Sequence, residues 1–137
     1  MLTTLRILAA VLLFSSASAV AQPQQDALAR LAGAWEIVGA NGSSGCDAGQ
    51  TFTPTADGRY VALDQHGAEG AYNSRYIVLH VETDRVMMFI EGEQRLTAQG
   101  DPVVWWAVFD GPNTFRWRRY DWPRTAMTDA VWRRCTT

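Results

Sequence analysis

The chain of 137 residues carries 12 basic side chains, every one an arginine, against 14 acidic ones, for a net charge of −2. Its length suits a single domain, and with 47% hydrophobic residues it has material for a packed core, which excludes a disordered chain. The acidic balance argues against a nucleic-acid-binding domain, which is ordinarily strongly basic.

In chain order, the N-terminus comes first. Residues 1–6 hold one cation, Arg6. Residues 7–14 are apolar, and small residues follow up to Ala21, with two overlapping small-x-small patterns, Ala17-Ser18-Ala19 and Ala19-Val20-Ala21. This is the layout of a secretory signal peptide. The apolar run is too short for a membrane span, which needs about 20 residues. The expectation is a leader over residues 1–21, a domain over residues 22–137, and a periplasmic or secreted location without a membrane span. In an oxidising compartment disulfides persist. The two cysteines, Cys46 and Cys135, allow a single pairing.

Residues 24–32 read as a short helix with Leu28 and Leu31 on one side. Beyond it, turn signals recur about every ten residues and the apolar period is two, the pattern of an all-β sandwich or barrel. Strands are predicted at 35–38, 50–53, 59–63, 71–82, 86–91, 95–98, 103–109, 114–120 and 130–135. Asp57-Gly58 supplies the positive φ of a tight hairpin. The connections are too short for crossover helices, so the fold class is all-β. A single antiparallel up-and-down barrel of about eight strands with a short N-terminal helix is expected.

Leu31-Ala32-Gly33-Ala34-Trp35 places a Gly-x-Trp at the entry to the first strand. In this the chain resembles the lipocalin and avidin superfamily, the calycins. The resemblance implies that Trp35 packs at the closed end of a barrel, with an arginine of the last strand, Arg133 or Arg134, over its ring. The Ala-Gly-x-Trp start with a nearby cysteine is also similar to small exported inhibitors of bacterial metalloproteases, which are disulfide-bearing eight-stranded barrels.

Residues 116–137 concentrate six arginines and two acids. On the strand at 114–120 the faces alternate, Phe115, Trp117 and Arg119 on one and Arg116, Arg118 and Tyr120 on the other. If the apolar face is interior, Arg119 needs a carboxylate partner from the protein or from a ligand. Tyr60, Tyr76, Trp117 and Arg119 are therefore the candidate ligand-binding residues. Residues 103–109 are apolar on both faces, so something must cover the outer one: the N-terminal helix or another protein. Asp64, His66 and Glu69 are of metal-binding type but match no strong motif. His80, two residues beyond Val78, reads as outward or cross-strand. No nucleophile with an activating partner stands out, and no cofactor is indicated. Two partners fit: a small hydrophobic or amphipathic ligand, or a protein such as an envelope enzyme that the domain inhibits.

Overall fold

A computed structural model describes residues 26–66 and 73–136. The leader and Glu69 lie outside these. Asp26 opens helix α1 (Ala27–Leu31) by accepting the Ala29 N–H at 2.9 Å. An oxygen in that place satisfies one of the orphan donors of a first turn. Strands follow at β1 (Gly33–Gly39), β2 (Gly42–Ser43), β3 (Gln50–Pro54), β4 (Tyr60–Gln65), β5 (Asn73–Val81), β6 (Arg85–Ile90), β7 (Trp105–Gly111), β8 (Thr114–Arg119) and β9 (Val131–Arg134), with a 3₁₀ turn at Cys46–Ala48. Each strand pairs antiparallel with its neighbour, and β9 returns to pair with β1. Eight strands thus close an up-and-down barrel, and β2 is a two-residue addition to β1. Closure leaves the eight without a free edge.

The barrel has a closed end and a mouth. The closed end holds the β3–β4, β5–β6 and β7–β8 turns and is plugged by α1. There the Ala27 N–H donates to Glu82 O, Arg30 donates to Thr83 O at 2.7 Å, and Leu28 packs against the Gly58 turn. Leu31 and Ala27 are fully buried. The inward positions carry Trp35, Phe52, Val61, Leu63, Tyr76, Val86, Met88, Ala107, Phe109, Phe115 and Trp117, one continuous core. Rings meet edge-on through it: Trp35 and Phe115 are 4.9 Å apart, Phe52 and Phe115 5.9 Å.

Two sequence expectations change, the strand at 95–98 and the cover of β7, while His80 keeps its expected outward place. Residues 95–98 form no strand; the Glu93 carboxylate takes the Arg95 N–H, and only Leu96 bridges to Pro102. A bulge between Val78 and His80 switches the facing of β5. Val81 then packs on the core, while His80 stands outside beside the outward Met87. Finally, α1 plugs the barrel end and does not cover the outer face of β7. That face is covered by cations and by residues 120–124, as described below.

The seam is stapled from outside. Cys46 and Cys135 form a disulfide across a sequence separation of 89 residues. Gly49 follows the 3₁₀ turn and passes so close to β1 that a Cβ there would lie 2.2 Å from Trp35 O. His66 belongs to the same corner, with Thr51 Oγ1 2.9 Å from its Nε2 and Asp64 3.8 Å away.

Candidate functional site

At the closed end the two last-strand arginines divide their work. Register pairs Trp35 with Arg134 and Glu36 with Arg133. The Arg134 guanidinium lies 4.3 Å from the Trp35 ring centroid. It donates to Ala32 O at 2.8 Å and to Arg30 O, while the Trp35 indole donates to Leu31 O at 2.9 Å. The carbonyls left over where α1 ends are thereby satisfied by a cation, the favoured charge at a helix C-terminus. Gly33, with φ +117°, leaves room for that guanidinium, since a Cβ would sit 3.1 Å from Nη1. Arg133 turns outward and pairs with Glu36 at 2.6 Å.

The mouth forms an aromatic cup of about 220 Å³, lined by Gln50, Tyr76, Ile90, Arg95, Trp105, Trp117, Thr128 and Trp132. Trp117 is its floor. It stacks on Tyr76 at 5.6 Å and meets Trp105 at 6.3 Å and Trp132 at 6.1 Å. Below that floor Phe52, Phe115, Phe109 and Trp35 fill the barrel. Most of the polar atoms around the rim are spoken for, the Trp105 indole N–H excepted. Gln50 Oε1 accepts the Trp132 indole N–H at 2.8 Å. Thr128 hydrogen-bonds the Trp117 backbone, folding residues 120–130 back along β8. Arg95 lies 5.3 Å from the Trp105 ring and grips Glu93 through two nitrogens at 2.8 and 2.6 Å. The Glu93 carboxyl is held below its ordinary range, chiefly by Arg95. The Trp105 N–H adds a little to this, although it is buried and its approach falls short of a formed hydrogen bond.

Of the four predicted ligand-binding residues, the structure brings Tyr76 and Trp117 together in the cup. Tyr60 is on the outer face instead. Val61 takes the inward place, and the Tyr60 ring lies under Arg75 at 4.6 Å. Arg119 shares the Trp105 register and so leans to the inner side, but Asp121 captures it at 3.0 and 2.9 Å, and it does not line the cup. The residues that sequence reasoning missed are Gln50, Arg95, Trp105, Thr128 and Trp132. Trp105 and Trp132 were legible as apolar strand positions. Arg95 and Thr128 come from irregular loops, where no periodicity points. Among the described residues no cluster of three His, Cys, Asp or Glu side chains is placed to hold a metal.

The outer face of the same strands carries a second hollow, a cleft of about 380 Å³ lined by Glu82, Arg85, Trp106, Arg118, Tyr120, Trp122 and Arg124. Trp106 faces outward yet is buried. Arg85 lies over it at 5.7 Å, and His80 meets it edge-on at 6.2 Å.

The fold and the mouth thus define a small closed up-and-down β-barrel with an aromatic cup at one end and a disulfide across its seam. No family model, curated protein or solved structure matches the chain.

Proposed function

We propose that this is an exported, lipocalin-like binding protein of the calycin type that holds a small, single-ring hydrophobic or amphipathic molecule in its mouth. One observation carries the reading: the cup of three indoles and a phenol, open to solvent above a filled core. Its volume is that of roughly seven waters at liquid density. A ring fits and a long acyl chain does not. Arg95 is already neutralised by Glu93, so the cup favours a neutral ring stacked on Trp105 or Trp132 over a carboxylate. The disulfide supports export, because such bonds persist in oxidising compartments.

Native mass spectrometry of protein recovered from the periplasm tests the reading, together with titration by phenol and indole monitored through tryptophan emission. A small mass lost on unfolding and saturable quenching are expected. Gln50→Phe, which fills the cup, is expected to abolish both. Absence of any retained mass together with linear, non-saturating quenching refutes the small-ligand reading and leaves the inhibitor-like one. That second reading rests on the exposed apolar hollow of Leu79, Met87, Val104 and Tyr120, where Leu79 is 50% and Tyr120 65% exposed.

A further inference from the structure

Arg118 is out of place as a structural residue. It projects from the outer face of β8, in register with Trp106, and is only 7% exposed. Yet among the described residues it makes no hydrogen bond and no ion pair. Buried charges in proteins are almost always paired, because the desolvation of an unpaired one is costly. Two neighbouring arginines on the outer face of these strands resolve their charge locally. Arg85 sits 3.1 Å from both Glu82 and Asp84, and Arg116 lies 3.9 Å from Asp110.

The guanidinium of Arg118 lines the outer cleft, and its nitrogens are not sealed from the space inside. Arg124 lines the same cleft, likewise without a partner among the described residues. Glu82 is the one carboxylate in the lining, and it is already engaged by Arg85 and lies 3.5 Å from His80. The cleft therefore holds an excess of positive charge on a chain that is acidic overall. Its walls are the indoles of Trp106 and Trp122. A planar guanidinium and two indoles lining one cleft match an oxyanion carried on a flat group. The fork pairs two oxygens, and the rings pack against the carrier.

We propose that this outer cleft is a binding site for an aromatic or similarly flat oxyanion, a carboxylate or a phosphate ester, held by Arg118 with Arg124 at the entrance. It is separate from the mouth cup, which faces the barrel axis and offers no unpaired cation. Arg118 explains the site's specificity. With a ligand bound, its charge is paired.

The test is an NMR titration of uniformly ¹⁵N-labelled protein, following the arginine Nε–H signals. The probes are benzoate, phenyl phosphate, inorganic phosphate and the neutral benzyl alcohol. Saturable shifts of the Arg118 signal with benzoate or phenyl phosphate, and none with benzyl alcohol, are expected. A preference between the two anions assigns the headgroup, and inorganic phosphate binding as well as its phenyl ester would remove the need for a flat carrier. Arg118→Gln is expected to weaken binding at least about tenfold, the scale of one charge-assisted pair. Arg124→Gln, at an exposed position that leaves the fold alone, is expected to weaken it severalfold and to reduce its salt dependence. Arg95→Gln at the mouth is expected to change nothing. Equal binding of benzyl alcohol, or anion affinity unchanged in both Arg118→Gln and Arg124→Gln, overturns the proposal. Should Arg118→Gln fail to fold, the Arg124→Gln affinity and the Arg118 shift in the parent protein decide it.

Discussion

Arg134→Gln is the most informative single change to the fold. It removes two things at once: a cation 4.3 Å from the Trp35 centroid, and the fork that satisfies Ala32 O and Arg30 O. A partly buried cation–π contact contributes about 1–2 kcal/mol. The two charge-assisted hydrogen bonds add about 1–2 kcal/mol together, because water can reach this half-buried site and replace part of each. Burial lowers the Arg134 pKa, so desolvation offsets some of that gain. The net expectation is a loss of about 2–3 kcal/mol, which corresponds to a Tm lower by about 8–12 °C in a domain of this size. Urea unfolding followed by tryptophan emission measures it, with an unchanged slope as the sign that both end states keep their compactness. Arg134→Lys keeps a charge over the ring but loses the fork, and should fall between the two. Arg133→Gln breaks a pair in which the arginine side chain is 55% exposed, and should cost much less. A loss in Arg134→Gln within about 0.5 kcal/mol, the range of ordinary surface changes, refutes the argument.

Other changes probe the seam and the surface charges. Gly49→Ala brings a Cβ against Trp35 O, where only backbone can yield, and should lower stability by about 2–4 kcal/mol in the same urea assay. Replacing Cys46 and Cys135 together by serine releases a loop of 89 residues and should cost about 4–5 kcal/mol in the chain-entropy model. A double variant as stable as the reduced-and-alkylated parent agrees with this; one as stable as the oxidised parent contradicts it. The Glu36, Glu91 and Glu93 carboxyls sit below their ordinary value of 4.5, through the Ser43 hydroxyl and then Arg133, through Arg75, and through Arg95 respectively. A depressed folded-state pKa contributes stability above about pH 4.5 that is lost as pH falls through the folded values. Unfolding midpoints between pH 6 and 3 should therefore fall on the acid side, and less steeply in Glu93→Gln.

Much of the architecture could be read from local chemistry. Asp57-Gly58 marks a hairpin whose glycine adopts φ +70°, and the Gly33-Ala34-Trp35 entry carries the arginine its resemblance implies, with the structure choosing Arg134. What escaped depends on contacts between distant segments. His80 is outward as read, but the β5 alternation of Tyr76 and Val78 does not announce the bulge that puts it there. Arg119 has the inward register that alternation assigns, but Asp121, two residues on, settles its charge before a ligand can. Arg118 reads as an ordinary outward residue, because its burial depends on distant residues, Trp106 in register beside it and the 120–124 segment that shares its cleft. The cup divides in the same way. Its strand-borne walls, Gln50 among them, follow from period two, whereas Arg95 and Thr128 are brought to the rim by loop geometry that no pattern announces.

Closure of β1 on β9 sets Gly33 beside Arg134, so the two ends of the described chain enter and leave on the same side as the α1 plug. The mouth is on the opposite side. A tag, carrier domain or surface tether joined directly to residue 26 or residue 136 therefore hangs from the base of the barrel and leaves the cup unobstructed.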